Sequence, residues 1–225
     1  MRSFKSILYL FVPVSILWAL AATAWAQFGC VKPFAVPSGS EPAPGTQFVL
    51  KQGNPQEATS PGWFNPVVLP SGGTGGASYR ENIEFCNSSS ITLGDLMEIE
   101  PGNMIGPTTQ GVSGLISQAP DDYFDTRNQC VVSQDPKTPR IAPILVYDVT
   151  VFDQGSGRKV SVRVSGFRRV FIEGTVGGDV IARAADGIRV CQIDEPNGEI
   201  SCNDGRDNDG DRLVDQEDPD CQVPR

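Results

Sequence analysis

Aspartates recur at nearly every second position in the last stretch of the chain, between Cys202 and Cys221. Counted from Asp207 as the first loop position, carboxylates occupy positions one, three, five, nine and twelve, and a backbone carbonyl can fill position seven. Alternate side chains of a tightly wound loop converge on one centre, so this spacing is typical of a calcium loop. The predicted ligands are Asp207, Asp209, Asp211, the carbonyl of Leu213, Asp215 and Asp218.

Two positions of this loop depart from the usual calcium pattern. Arg212 stands where a glycine normally takes the sharp turn, and Asp218 replaces the longer bidentate glutamate. Gly210 can take over part of the turning, which leaves the register open by a residue or two. The expected affinity is therefore weak, on the order of 10⁻⁴ to 10⁻³ M. The alternative is a solvated acidic tail, because most runs of like charge are simply exposed.

Six cysteines indicate a disulfide framework. An even number in an exported chain favours three bridges, and no C-x-x-C pair supports a zinc or redox site. We expect Cys202 to pair with Cys221 and close the acidic loop. The other four cysteines allow three connectivities, of which we favour Cys86 with Cys130 and Cys30 with Cys191. That choice ties the two ends of the domain together.

Several enzyme classes are excluded by composition. The chain contains no histidine, which removes histidine-based triads and histidine-ligated zinc. The glycine-rich run 72–76 lacks the Lys-Ser/Thr of a phosphate-binding loop and is interpreted as a turn. We predict a protein that is not an enzyme. The alternative is a secreted hydrolase that uses a pair of acidic residues, although no spacing singles out one pair.

The N-terminus predicts export. Arg2 and Lys5 precede an apolar run over residues 7–22, and Ala24-Trp25-Ala26 follows as a cleavage site, so the mature chain is expected to begin at Gln27. The alternative is an uncleaved signal anchor. Loss of Arg2 and Lys5 takes the formal charge from -9 to -11. So acidic a chain favours cations or basic partners and is not expected to bind nucleic acid.

The remaining chain predicts one β-rich α+β domain with an appended loop. We divide it into a signal peptide (1–26), a Pro/Ser/Gly-rich leader (27–46), a β-rich module (47–192) and the acidic loop (193–225). Helices are expected over residues 77–85 and 107–118, where apolar residues recur at helical spacing. Short apolar, alternating or β-branched runs predict strands at 48–50, 67–69, 144–152, 159–165, 170–172, 180–181 and 188–190, and residues 91–100 are expected to form a turn and a strand.

An ordered series of short motifs resembles the C-terminal module of bacterial TadG-like proteins of tight-adherence (Tad/Flp) pilus assembly. The series runs from about Pro61 to Gly174 and includes Gly76-Ala77-Ser78-Tyr79-Arg80-Glu81-Asn82-Ile83 and Pro139-Arg140-Ile141. Its most specific block is Glu100-Pro101-Gly102-Asn103-Met104-Ile105-Gly106-Pro107-Thr108. The resemblance implies a cell-surface or envelope protein linked to pili or adhesion, with pilus or envelope proteins as partners and no catalytic residues. The acidic loop is similar to the calcium loops of thrombospondin-type repeats.

The same motifs have plain structural interpretations. Glu100 to Asn103 has the composition of a turn, Pro107 suits the first turn of a helix, and Met104 and Ile105 are core candidates. Tyr79 and Arg80 are candidates to contact a ligand, but an aromatic residue on a short helix more often belongs to the core. The structural interpretation is favoured for these residues.

Overall fold

The computed structural model describes residues 30–53, 65–100, 102–154 and 160–191. The signal peptide, the acidic loop with its six expected calcium ligands, and the Cys202–Cys221 bridge lie outside these residues, so those expectations remain predictions. No helix in the described ranges combines the length and apolar character needed to cross a membrane.

The predicted β-rich α+β class is confirmed. The described ranges contain two helices and ten strands. The helices are α1 (Gly76–Glu84) and α2 (Ile105–Ser117). The strands are β1 (Phe34–Pro37), β2 (Gln47–Lys51), β3 (Asn65–Pro66), β4 (Leu96–Glu98), β5 (Tyr123–Asp125), β6 (Cys130–Val132), β7 (Ile141–Gln154), β8 (Val160–Val176), β9 (Asp179–Ala184) and β10 (Arg189–Cys191).

A seven-stranded mixed sheet forms the centre of the domain. Its strand order is β2-β9-β8-β7-β1-β3, and β4 pairs with β8 beside this path. All pairs in this sheet are antiparallel except β1 with β7, which run parallel. A second, three-stranded sheet has the order β10-β6-β5.

β8 is one strand where the sequence predicts two. Val162 and Val164 are buried while Arg163 and Ser165 are exposed, which is the alternation expected of a strand with one face on the core. Beyond that stretch the strand continues through Gly166, because the register with β7 shifts between Val146 and Tyr147. Such a bulge absorbs one extra residue without ending the ladder.

The main sheet carries apolar residues on both faces. One face packs against α1 and α2 through a core formed by Phe34, Val36, Leu50, Tyr79, Ile83, Val112, Leu115, Ile144, Val146, Val170, Ile172, Val180 and Ala182. The other face packs under the segment that leads through β3 and β4, and that core includes Ala35, Val67, Leu69, Ile91, Met97, Ile99, Leu145, Tyr147, Val162 and Val164. Val131 of the small sheet packs with Phe171 and Ala185 in a further cluster.

The first strand lies in a stretch where the sequence predicts an unpacked leader. Phe34, Ala35 and Val36 are each at most 2 % exposed, and β1 is inserted between β7 and β3. Alternation explains this burial, since Phe34 and Val36 face the helix layer while Ala35 faces the opposite core. The leader prediction over 27–46 therefore missed a buried strand that is paired on both sides, and proline content concealed it.

The favoured pairing of four cysteines is wrong. The structure joins Cys30 to Cys86 and Cys130 to Cys191, with Cα separations of 4.4 and 5.9 Å. β10 runs parallel to β6 and pairs Arg189 with Cys130, which brings Cys191 and Cys130 into neighbouring strands. Cys30 leads into β1, next to the end of α1. Each bridge thus follows a contact between distant segments that spacing along the chain does not reveal.

Candidate functional site

The two helices begin beside each other. α1 follows Gly75, whose φ is 95°, and α2 follows Met104, whose φ is 50°. A Cβ atom added to Gly76 would lie 2.8 Å from Cγ of Pro107, so the first turns are in close contact. The structure thus brings together the two longest motif blocks of the sequence. We call this region the helix-start junction, and it is formed by residues 75–80, 100 and 102–110.

Glu100 is the buried charge of the helix-start junction. The Gly75 N–H donates to Oε1 of Glu100, whose side chain is only 1 % exposed. Neither helix has a side-chain cap or an acidic residue in its first turn. Glu100 therefore supplies the negative charge that the start of α1 favours. Its second oxygen, Oε2, is buried without a hydrogen-bond partner in the described part of the chain.

Tyr79 lies in the core beneath Glu100. Its ring packs edge-on against Phe34 with a centroid distance of 6.2 Å, and the residue is 2 % exposed. Burial raises the pKa of Tyr79; the Thr108 hydroxyl opposes this rise and the Glu100 carboxylate adds to it. The Tyr79 hydroxyl makes no hydrogen bond of good geometry with any described group, so its contact with Thr108 is weak. Tyr79 is a core residue, and a ligand cannot reach it directly.

An open depression lies at the surface of the helix-start junction. It is lined by Gly76, Ala77, Arg80, Gly106, Pro107 and Gln110. The Arg80 guanidinium reaches Oε1 of Gln110 at 3.5 Å. Of the two residues considered as ligand contacts, only Arg80 lies at this surface. Because Glu100 already occupies the start of α1, that helix terminus is not free to bind an anion in the depression.

A second buried charge lies beyond the end of α2. Arg140 donates to the carbonyl oxygens of Ile172 at 3.1 Å, Ala119 at 3.1 Å, Asp122 at 2.6 Å and Glu173 at 3.2 Å. Its guanidinium also lies 4.7 Å from the centroid of the Phe171 ring. Burial lowers the pKa of Arg140, and the neighbouring acidic groups oppose that change. The side chain joins the segment after α2 to the edge of β8.

Two lysines are also buried, and both hydrogen-bond backbone carbonyls. Nζ of Lys32 donates to the carbonyl of Phe85 at 3.0 Å, at the end of α1. Nζ of Lys51 donates to the carbonyls of Gln52 at 3.1 Å and Asn103 at 3.0 Å. Burial lowers the pKa of each to about 8, and Asp179 partly offsets the change at Lys51. Sequence reasoning missed both lysines, although each adjoins an apolar run.

The described residues hold no group of three or more Cys, Asp or Glu side chains placed to bind a metal ion. All six predicted calcium ligands, from Asp207 to Asp218, belong to the part of the chain outside them. The calcium site is therefore neither placed nor contradicted, and it remains a prediction.

Comparison with known proteins shows little similarity. No protein-family model matches the chain. No solved structure matches it. A curated protein, the autolysin of Chlamydomonas reinhardtii, is 57 % identical over 35 residues, which make up 16 % of this chain and 6 % of that protein. So short a similarity shows neither a shared family nor a shared activity.

Proposed function

We propose that this chain is an exported, non-enzymatic structural or interaction protein of the bacterial envelope or surface. The observation that supports this role is the use of its buried charges. Lys32, Lys51, Glu100 and Arg140 bond backbone groups, and Asp122 accepts from the Thr138 hydroxyl. A catalytic site needs charged groups that reach a substrate and are tuned for it. Here the buried charges are committed to holding segments of the fold together.

The two disulfides support export. They link residues 56 and 61 positions apart, so each closes a large loop. Disulfides of this kind form and persist in oxidising compartments, and they stabilise a fold chiefly by restricting the unfolded chain. Intact mass of protein recovered from the envelope or medium tests the export step. A mass that corresponds to a chain beginning at Gln27 supports export with cleavage, and retention of residues 1–26 would indicate a membrane anchor.

Calcium binding by the C-terminal loop is the second part of the proposal. The five carboxylates predicted as ligands lie within twelve positions and repel one another without a cation, so calcium should order the loop. Calorimetric titration of the mature protein should show weak binding that Asp209→Ala abolishes. Glu217→Ala removes an acidic residue of the same loop that is not a predicted ligand, and should leave binding nearly unchanged. Equal heats from Asp209→Ala and the native chain would contradict the site.

The proposed connection to pili or adhesion rests on the sequence resemblance. It is supported by the juxtaposition of two motif blocks, Gly76 to Ile83 and Glu100 to Thr108, in one helix-start junction. Antibody detection of the protein in sheared surface filaments of the producing cells tests the connection. The connection is contradicted if the protein is recovered only from the soluble periplasm and if cells that lack the gene attach to surfaces as well as the parent cells. The chain would then be an exported protein that acts apart from pili.

A further inference from the structure

The two described disulfides have different access to solvent. Cys130 is 0 % and Cys191 is 9 % exposed, and both lie in strands of the small sheet. Cys86 is exposed and Cys30 is partly buried, next to Phe85 whose side chain is 54 % exposed. Thiol–disulfide exchange requires a thiolate to approach a sulfur atom along the bond. Among the described residues, only the Cys30–Cys86 bridge includes a cysteine that is exposed to solvent.

Backbone strain favours opening of the same bridge. Cys30 has a φ of 66°, in the left-handed region that residues with a Cβ atom rarely adopt. Once the bridge opens, Cys30 can leave this conformation. The neighbouring strand β1 keeps its pairing with β7 on one side and β3 on the other. Opening the bridge therefore removes one constraint on Cys30 and breaks none of the strand pairs of β1.

A buried positive charge lies beside the bridge. The Lys32 ammonium bonds the carbonyl of Phe85, the residue before Cys86, and Lys32 is itself two residues after Cys30. A nearby cation stabilises a thiolate and makes it a better leaving group. At the other bridge, Arg189 pairs in register with Cys130, but Arg189 is exposed, so water screens its charge more strongly than that of the buried Lys32.

We propose that Cys86 is a thiol-modification site at which an external thiolate opens the Cys30–Cys86 disulfide. The incoming thiolate attacks Sγ of Cys86, a new sulfur–sulfur bond forms to that atom, and the bond to Cys30 breaks. The electron pair of the broken bond stays on Sγ of Cys30, which leaves as a thiolate beside Lys32. The product is a mixed disulfide on Cys86, with no net change in oxidation state.

Glutathione is a suitable probe of this site. The folded, mature protein is incubated with reduced glutathione, quenched with N-ethylmaleimide and mapped as peptides without reduction. We expect glutathione on Cys86 and maleimide on Cys30, at a rate at least about tenfold faster than any labelling of Cys130 or Cys191. Equal rates at the two bridges, earlier opening of Cys130–Cys191, or glutathione on Cys30 in place of Cys86 would overturn the proposal.

Lys32 is a positioning residue in this scheme, and its variants test its part. Lys32→Met should slow glutathione transfer several-fold, while Lys137→Met, at an exposed lysine, should not. Lys32→Arg should restore much of the rate, which a role in packing alone does not predict. Circular dichroism shows whether each variant folds. If Lys32→Met does not fold, the site of the adduct in the native chain still decides the proposal.

Discussion

The two ends of the helix layer are held by buried charges of opposite sign, and they differ in how completely those charges are paired. At the helix-start junction, Glu100 accepts one hydrogen bond from Gly75 and leaves Oε2 without a partner. Beyond the end of α2, Arg140 bonds four carbonyl oxygens and lies over the ring of Phe171. The basic side chain is therefore far better satisfied than the acidic one.

This difference indicates which end of the helix layer determines stability. A buried charge contributes only when its hydrogen-bonding groups are matched, because desolvation offsets much of the attraction. Removing Arg140 would leave several carbonyls without donors, whereas removing the charge of Glu100 leaves one N–H with a weaker acceptor. We expect the Arg140 end to be the less tolerant of substitution.

The largest expected effect is at Arg140. Arg140→Met keeps an apolar stem but deletes the donors of two buried and two partly buried hydrogen bonds to carbonyls, so the free energy of unfolding should fall by about 3 to 5 kcal/mol. Urea denaturation of the mature protein measures this change. Arg168 is the matched control, because it is exposed and pairs with Asp186 at 3.3 Å. Arg168→Met should change stability by less than about 1 kcal/mol. Similar losses in both variants would remove the distinction between the two ends.

The contact between the helices is tested by two glycines of α2. A Cβ atom at Gly111 would lie 2.8 Å from the Arg80 carbonyl oxygen and 2.9 Å from Cβ of Ile83. Gly111→Ala should therefore destabilise the protein by about 2 kcal/mol, despite the better helix propensity of alanine.

Gly106 provides the opposite case, since a Cβ atom there meets nothing within 4 Å. Gly106→Ala should be neutral or should stabilise by up to about 1 kcal/mol. Thermal denaturation of both variants compares them directly. If Gly106→Ala is the more harmful change, the first turn of α2 is more tightly packed than the structure shows.

A smaller effect is expected at Glu100. Glu100→Gln keeps an acceptor oxygen for the Gly75 N–H but removes the negative charge at the start of α1, so the loss should be about 1 kcal/mol. Glu81→Gln is the control, because Glu81 is exposed on the same helix. A loss at Glu100 as large as that at Arg140 would mean that Oε2 has an essential partner.

The smallest expected effect is a pH dependence from the buried lysines. The pKa values of Lys32 and Lys51 fall from 10.5 to about 8, so above pH 8 the folded state binds fewer protons than the unfolded state. Stability should therefore rise with pH from about 8 toward 10. The hydrogen bonds to backbone carbonyls favour the charged ammonium groups and so reduce this effect. We therefore expect the free energy of unfolding to rise by only about 1 kcal/mol over this pH range.

The raised pKa of Tyr79 acts in the opposite direction above its ordinary value of 10.0, which limits the useful range. Urea denaturation between pH 7.5 and about 9.5 should show the rise, and the Lys32→Met, Lys51→Met double variant should lose it. If the stability of the native chain instead falls across this range, the folded protein stabilises the charged ammonium groups, and the prediction is wrong.

Elements with strong local patterns were predictable from the sequence. The apolar spacing of Val112, Leu115 and Ile116 predicted α2, and Val112 and Leu115 are fully buried. The helix begins at Ile105, two residues earlier than predicted, because Met104 takes the left-handed turn before it. Strands β5 and β6 were missed, since each has only three residues and no clear alternation, whereas the equally short β10 was found because Ile188, Arg189 and Val190 alternate.

The features that depend on tertiary contacts were not predictable. The cysteine pairing follows from the parallel alignment of β6 with β10, and nothing in the spacing of Cys130 and Cys191 records that alignment. Arg140 was recognised only as part of a motif, and Glu100 only as part of a turn. Both residues have a structural role because they are buried, and they are buried by segments that are distant in the sequence. The predicted calcium ligands lie outside the described residues.

The parallel pairing of β1 with β7 has a consequence for how an exported chain would fold. Ala35 pairs with Leu145, and β2 pairs with β9, so the first two strands find their partners only after most of the chain is available. A chain that crosses a membrane N-terminus first would expose the apolar β1 during that interval. Non-local pairing of this kind slows folding and favours aggregation. Efficient secretion should therefore depend on a chaperone that shields the early strands until the β7–β8 hairpin has emerged.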